Sequence, residues 1–467
     1  MFGGCAEMSV PLQRFLTIHY LQMKKIVLTF AALAATATSF AGGLLTNTNQ
    51  HAAFLRNPSR QAIIGIEGVY TNPAGVAFMP QGFHLGVTWQ AAMQKRELNA
   101  SNQLFMMNEN NRSMNRFFEG EVTAPVIPSI QAAYVINDKW SVSANFAVAG
   151  GGGKCEFEQG LPMFEELVGG LAYSNSLTSY ALNQNLTGEQ YFYALQLGAT
   201  YKVTENFSVF GGVRGVMANC AYEGAITDIK LGGMNAAFFQ AAGMIEQALL
   251  ASDYRLDCKQ EAFGFQPIIG ANLKLGKLNI GAKYEFRAKI NLENESNNST
   301  NLTALAKHPK FGSAVAVYAD GNKVRSDIPA LFTIGAQYEV TDNIRAMAGF
   351  NYYFDKDAKG SATAVSDDTY EITLGAEWDI DENWTVGLGG QRTQYGFDAE
   401  DMSDTSFNIS SYGLCVGGAY KFSEKLKLNF GYMHSFYEDH KFTNKNGTAC
   451  NYTRKNDVVG VSLDFKF

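Results

Sequence analysis

Proline is scarce in this chain, 10 residues among 467, and histidine scarcer still at 6. Few prolines leave long stretches free to pair as strands, because each proline removes a ladder donor. No segment beyond the N-terminal leader offers the roughly 18 consecutive apolar residues that a membrane-crossing helix needs. Mean hydropathy is slightly negative. A helical membrane bundle is therefore excluded. Cations fall short of acids, 37 against 44, for a net charge of −7. That balance gives no footing to nucleic-acid binding.

Cysteine is equally uninformative. Cys5, Cys155, Cys220, Cys258, Cys415 and Cys450 are widely scattered, and no CxxC pair marks a zinc site. One or two bridges stay open in an oxidising compartment. Catalysis lacks its usual parts. Beyond the leader the histidines are His51, His84, His308, His434 and His440, with no metal-ligand spacing among them. His434 precedes Ser435, but in a strand their side chains point to opposite faces. No enzyme, metal or cofactor is expected.

What the chain does contain begins with a leader. From Met23 it reads MKKIVLTFAALAATATSFAGG, with Lys24 and Lys25 before an apolar core and Ser39-Phe40-Ala41 as a small-x-small cleavage site. Met23 is the expected start and residues 1–41 the expected leader. That stretch carries Arg14, Lys24 and Lys25 against Glu7, net +2, so its removal takes −7 to −9.

The second feature is alternation. In YEITLGAEWDI, Tyr370 to Ile380, every other residue is apolar. From Lys277 to Glu293 the apolar set is Leu278, Ile280, Ala282, Tyr284, Phe286, Ala288, Ile290 and Leu292, against a polar opposite face. One face in lipid and one toward a wet lumen produces this pattern. About fourteen such strands are expected, near 83–96, 125–137, 139–150, 189–204, 206–222, 259–275, 277–292, 325–341, 343–356, 369–381, 383–396, 409–422, 425–440 and 453–467. Tight polar turns such as Asn137-Asp138-Lys139 and Asp381-Glu382-Asn383 alternate with long connections. Tyr134, Trp140, Trp378, Trp384, Tyr420 and Phe422 flank the tight turns as an interfacial girdle would. The final strand ends on Phe467, like the assembly signal of outer-membrane barrels. The expected fold is all-β: a 14-stranded antiparallel transmembrane β-barrel, residues 83–467, plugged by an N-terminal hatch, residues 42–82.

Inside that hatch lies GVYTNPAGVAFMPQG. Asn72-Pro73-Ala74-Gly75 ahead of fourteen strands resembles the outer-membrane long-chain fatty-acid and aromatic-hydrocarbon transporter family (FadL/OmpP1/TodX-like), whose hatch carries an Asn-Pro-Ala motif. A second resemblance is VAGGGGKCEFEQGLPMFEEL, Val148 to Leu167, where the family kinks its third strand and opens the wall. Gly150, Gly151, Gly152 and Gly153 are the lateral-gap candidates; glycine tolerates unusual backbone angles and weakens strand pairing. A phosphate loop is excluded, since Lys154 precedes Cys155 and Val148 stands where the first glycine belongs.

The resemblance implies passive, hatch-gated uptake of a hydrophobic small molecule such as a fatty acid, in the bacterial outer membrane. Implied partners are the bilayer, lipopolysaccharide and the barrel-assembly machinery, with the chain a monomer. Inward cations able to meet a carboxylate are Arg214, Lys283, Arg287, Arg345 and Arg392, although inward acids such as Glu285, Glu339 or Glu371 compete for them. Two apolar loop stretches, LPMFEELVGGLAYSNSL and LGGMNAAFFQAAGMIEQALL, have helical character. Met234, Phe238, Ala241, Ile245 and Leu249 form one face of the second. Such loops either make a landing groove or pack over the mouth. A porin for polar solutes and an adhesive barrel acting through its loops are the alternatives.

Overall fold

The computed structural model describes residues 45–46, 50–309, 312–360, 366–397, 402–405, 407–444 and 446–467. The expected leader, 1–41, lies outside them, as do 42–44 and 47–49 of the expected hatch.

The strands are β1 Gly82–Ser101, β2 Asn115–Val135, β3 Trp140–Phe157, β4 Tyr180–Lys202, β5 Phe207–Leu231, β6 Tyr254–Leu275, β7 Leu278–Glu285, β8 Asn291–Ser296, β9 Lys323–Arg325, β10 Ala330–Glu339, β11 Ile344–Phe354, β12 Thr369–Asp379, β13 Trp384–Gln394, β14 Ser411–Ser423, β15 Leu426–Tyr437, β16 His440–Thr443 and β17 Ala449–Lys466. All pair antiparallel in one sheet, which closes where β1 meets both β17 and β2. The short β8, β9 and β16 are outer continuations. β8 pairs with β6 as β7 does, β9 pairs with β8, and β16 pairs with β17 as β15 does. The wall thus has fourteen staves. Closure gives every stave a partner on both sides, as lipid demands. Phe467 completes it: its N–H donates to the Phe83 carbonyl at 2.9 Å.

The lower staves face lipid with apolar side chains, such as exposed Val87, Trp89 and Met93. Near the tight turns Tyr134, Trp140, Trp378, Trp384 and Phe422 are exposed, and the Trp140 and Trp384 rings lie 4.8 Å from Tyr201 and Tyr420. Higher up, the polarity inverts. β5 turns Ser208 and Arg214 inward low down but Cys220, Tyr222, Ile226 and Leu231 inward near its top, while Glu223, Asp228 and Lys230 face out.

The same inversion corrects the expected single strand 277–292. β7 stops at Glu285, with Lys283 and Glu285 inward. Across the break the phase flips. Ala288, Ile290 and Leu292 are buried, although they share a sequence face with exposed Phe286. Alternation in sequence persists there, but an irregular stretch of backbone rotates the faces. The loop LGGMNAAFFQAAGMIEQALL is likewise not one helix. Helices Ala236–Ala241 and Ile245–Leu250 are separated by Gly243 at φ +73°. Phe239, Ala248 and Leu250 are the buried side chains, whereas Phe238 and Ile245 are exposed.

Residues 50–81 fill the lower lumen as a plug built of Ala52–Arg56, Gly68–Thr71 and the 3-10 turn Pro73–Phe78. Inward wall glycines explain how it fits. A Cβ on Gly375 would sit 2.1 Å from Asn57 Oδ1, and one on Gly431 2.7 Å from the Arg56 backbone nitrogen. Glycine here permits the close approach of plug and wall.

Candidate functional site

The plug is fixed first by its Asn-Pro-Ala-Gly turn. Asn72 Nδ2 donates to the Ile63 carbonyl (3.1 Å) and to Asn272 Oδ1 on β6 (2.7 Å). Asn279 Nδ2 in turn reaches Asn272 Oδ1 (3.0 Å) and the Ala62 carbonyl. Pro73 opens the 3-10 turn, where its missing N–H costs nothing. The carbonyls of Pro73 and Ala74 accept from Thr200 and Ser208 of the wall (2.9 and 2.7 Å). Gly75 is required, because a Cβ there would lie 2.5 Å from Asn72 Nδ2.

A second anchor is ionic. Glu377 of β12, almost fully buried, receives plug residues Arg56 (2.7 Å) and Arg60, with Arg345 of the wall at 3.5 Å. Arg60 also holds Glu67 at 2.6 Å. Beneath lies an open cavity of about 910 Å³ facing the short-turn rim, lined by Arg60, Glu67, Arg345, Asp379 and Lys427 among others.

The five expected carboxylate-binding cations all face acids of the chain itself. Arg214 and Lys283 are buried against Glu285 (2.5 Å each), and both stack on Tyr70 of the plug, at 4.5 and 4.8 Å from its ring. Arg345 bonds Asp379 (2.9 Å), Arg392 sits 2.8 Å from Glu438, and Arg287 lies 3.7 Å from Asp327. Of the expected inward acids, Glu285 does pair, Glu339 is exposed, and Glu371 accepts from Asn351, Tyr353 and Gln391.

Gly150, Gly151, Gly152 and Gly153 lie inside β3, beside a break in the wall. β2 and β3 pair at Thr123↔Lys154 and again only at Ser129↔Ala147. The unpaired edge of β2 reads Ala124-Pro125-Val126-Ile127-Pro128, and neither proline can donate to a neighbour. On the other side β3 bulges against β4 between Val148 and Gly153. Gly151 adopts φ +107° and Gly153 φ +75°, and a Cβ on Gly151 would meet the Gln190 carbonyl at 2.3 Å. Gln50 of the plug spans the break from inside. Its side chain donates to the Val148 carbonyl of β3 (3.0 Å), and its own carbonyl accepts from Ser129 and from Gln131 (2.7 Å) of β2.

Above the plug the lumen is apolar, with a buried cluster that includes Leu98, Phe118, Phe157, Leu186 and Tyr452. Two cations missed from sequence stand in it. Arg96 of β1 is buried and Arg454 of β17 half-buried. Their guanidinium groups converge on one acceptor, Gln94 Oε1, at 3.0 and 2.8 Å. Both lie 5.9 Å from the Phe407 ring. Arg96 donates to the Thr405 carbonyl and Arg454 to that of Phe407, each at 3.2 Å. Among the described residues neither has an acid within ion-pair distance, and Arg454 Nε is buried with no partner. Arg96 lines a cavity of about 50 Å³ with Gly153, Cys155, Gln190 and Tyr222, which puts it next to the wall break. A second, wholly apolar cavity of about 60 Å³ continues outward past Phe164, Ile226, Tyr254 and Leu302. The signal that could have found the arginines is local. The residues two positions away on their own strands are Gln94 and Leu98, and Tyr452 and Asn456; none is acidic. Lys283, by contrast, has Glu285.

A cover closes the top. Helix Pro162–Ser174 is almost wholly buried. Its Glu165 pairs with Arg116 at 3.0 Å. Among the described residues Glu166 meets neutral donors, Asn444 (2.8 Å), Asn446 (2.5 Å) and Thr448. Asp404 accepts from the Met163 backbone N–H (2.7 Å) and from Tyr452. Burial and the nearby Asp404 push the Glu166 carboxyl up to about 7, and burial raises Asp404 as well. His434 faces outward and pairs with Asp457 (2.7 Å), on the opposite strand face from buried Ser435.

Residues 30–467 match the family described as Outer membrane protein transport protein (OMPP1/FadL/TodX). No curated protein sequence matches the chain. Among solved structures it resembles a Pseudomonas aeruginosa FadL homologue, at 14% identity and a TM-score of 0.67, over 91% of this chain and 100% of that one. It also resembles the Pseudomonas putida toluene transporter TodX (13%, TM-score 0.55, 87% and 95% covered) and the Ralstonia pickettii toluene transporter TbuX (14%, 0.52, 88% and 98%). At these identities the likeness is one of fold.

Proposed function

Because the chain belongs to the OMPP1/FadL/TodX family of outer-membrane transport proteins, channels for hydrophobic molecules, we propose that its cargo is a long-chain fatty acid. The observation that carries this reading is the pair Arg96 and Arg454. Two guanidinium groups held together in an apolar lumen, with no acid among the described residues to balance them, form a site that gains an anion. Toluene carries no charge for such a pair to meet. A carboxylate seated there would leave its alkyl chain among Leu, Phe and Tyr side chains, each buried methylene contributing roughly 0.8 kcal/mol.

The cargo enters between the outer loops and loses its water in the apolar upper lumen. It rests with its carboxylate at the arginines and leaves sideways between β2 and β3 into the bilayer. Asn72-Pro73-Ala74-Gly75 keeps the plug seated below, and Gln50 holds the exit closed until cargo displaces it. Transfer is passive and runs down the gradient. The barrel works as a monomer among lipopolysaccharide, and the barrel-assembly machinery reads the last strand ending at Phe467.

Labelled oleate and a small sugar, given to cells lacking their own channels, test this reading. Oleate uptake should rise well above the empty-vector level while sugar flux stays at it. Sugar entry without oleate entry would replace the reading with a polar-solute pore.

A further inference from the structure

The two upper cavities share two lining side chains, Leu186 and Tyr318. From this we propose that these residues form a neck that passes an unbranched alkyl chain and turns ring systems back. The proposal rests on the uptake function above and names the cross-section of its substrate.

Three observations carry it. First, chemistry changes at the neck. The outer cavity is lined by apolar residues and the inner one adds Arg96, Gln190 and Thr405. A ligand occupying both must be apolar outside the neck and polar at its inner end. Second, the opening at the neck is made by missing side chains. Leu186 pairs with Gly224, and Gly188 pairs with Tyr222, on adjacent strands β4 and β5. Gly188 lines the inner cavity and Gly224 the outer. A Cβ on Gly224 would lie 2.8 Å from Leu186 Cδ1, so the leucine already leans across the gap that this glycine leaves. Third, the two jaws differ in what holds them. Leu186 sits in the middle of paired β4. Tyr318 ends the short turn Ala316–Tyr318 and is positioned through its carbonyl, which accepts from Ser296 Oγ (2.8 Å) and Asn298 Nδ2 (2.9 Å). Its ring packs edge-on at 6.0 Å from Tyr222.

Cavities of about 50 and 60 Å³ are far below the roughly 300–1,000 Å³ of a ligand-filled pocket. Passage therefore requires a jaw to move, and Tyr318, carried on a short turn and not on a paired strand, is the one placed to do so. A methylene chain needs a small displacement; a fused ring needs the strands themselves to part.

The test uses two carboxylates of equal charge and different girth, oleate and 1-pyrenebutyrate, with uptake normalised to heat-modifiable surface protein. Leu186→Ala widens the neck. It should raise the ratio of pyrenebutyrate to oleate uptake about fivefold or more. Gly188→Val narrows it. A Cβ at Gly188 meets the Tyr222 ring at an ordinary 3.6 Å, so the strand accommodates it. This variant should cut oleate uptake about fivefold while folded protein persists. An unchanged oleate-to-pyrenebutyrate ratio in both variants, with wild-type oleate uptake intact, overturns the neck alone. Wild-type uptake of oleate no better than vector overturns the transport reading, and the neck with it.

Discussion

The lower and upper halves of this lumen are built from the same fourteen staves and obey opposite rules. Below, polar and charged side chains face in and nearly every cation has its acid. Glu377 alone draws three arginines, and Arg214 and Lys283 share Glu285. Above, the inward face is apolar and two of its cations, Arg96 and Arg454, share a neutral glutamine. The lower half spends its charge holding the plug, and only the upper half keeps charge available to a ligand. Inward position alone therefore does not mark a cation open to a ligand in a barrel, because an inward acid beside it takes up its charge.

The largest effect expected from breaking this contrast is at Glu377. Glu377→Ala leaves buried Arg56 and Arg60, and half-buried Arg345, without their shared acid, a loss of about 3–5 kcal/mol in plug docking. Single-channel conductance to small ions should rise sharply while the barrel stays heat-modifiable. A silent channel would mean that the Asn72 anchor suffices.

In the upper half the opposite holds. Replacing Arg96 and Arg454 together with alanine removes two like charges and breaks no ion pair among the described residues, so thermal stability should hold. Fatty-acid affinity should fall about tenfold to a hundredfold, the worth of a charge-assisted hydrogen bond. Methyl oleate, which has no carboxylate, should bind equally to both proteins. Equal loss for the ester would assign the arginines to the fold.

Asn72→Ala sharpens the account of the plug. It leaves the Ile63 carbonyl without its side-chain donor and takes one of two donors from Asn272 Oδ1, at a cost of about 1–3 kcal/mol. Barrel assembly should stay near normal, since no strand pairing depends on it, and oleate uptake per folded barrel should drop several-fold. Asn272→Ala should cost less in the same background than alone, because the two side chains share one bond.

The smallest effect is a pH dependence of the cover. Glu166 is protonated in the closed state up to about 7, against 4.5 for an ordinary glutamate. Its folded-state value is raised, so closure is most stable below the ordinary value and weakens as pH climbs from there to about 7. Asp404, raised in the same direction, adds to the trend. Around them stand Asn444, Asn446, Thr448 and Tyr452, which are neutral at these pH values, and Glu165, which is balanced by Arg116. Hydrogen exchange in residues 162–174 should therefore quicken between pH 5 and pH 7.5, and Glu166→Gln should flatten that rise. An equal rise in the variant would place the titration elsewhere.

Much of the fold was legible because lipid imposes a period of two on each stave, and the tight turns marked where staves end. The outer ends were not legible. β1, β2, β4 and β5 run 5 to 10 residues beyond their expected outer limits, through segments where inward Leu98, Phe118, Leu186 and Ile229 replace the polar lumen face. The alternation rule for a wet lumen fails there because the lumen is no longer wet. The wall break left a fainter mark. The glycines of β3 drew attention, yet Pro125 and Pro128 on the facing strand explain the lost ladder as directly. For Arg96 and Arg454 the missing acid at the neighbouring inward positions was a local signal, but they are 358 residues apart in sequence and only the fold brings both to one glutamine.

The length of β5 has a consequence for the whole cell surface. At about 3.3 Å per residue its 25 residues extend roughly 80 Å. Even tilted by about 40°, that far exceeds an apolar band of about 25 Å. The excess rises beyond the apolar band, hydrophilic on its outer surface and greasy within. With the cargo proposed above, a fatty acid would change solvent once, at the loop tips, without dissolving in any hydrated layer around the barrel. Flux at low supply should then follow how often single molecules in the surrounding water strike the mouth, and a micelle, too wide to enter, should serve only as a reservoir of monomers.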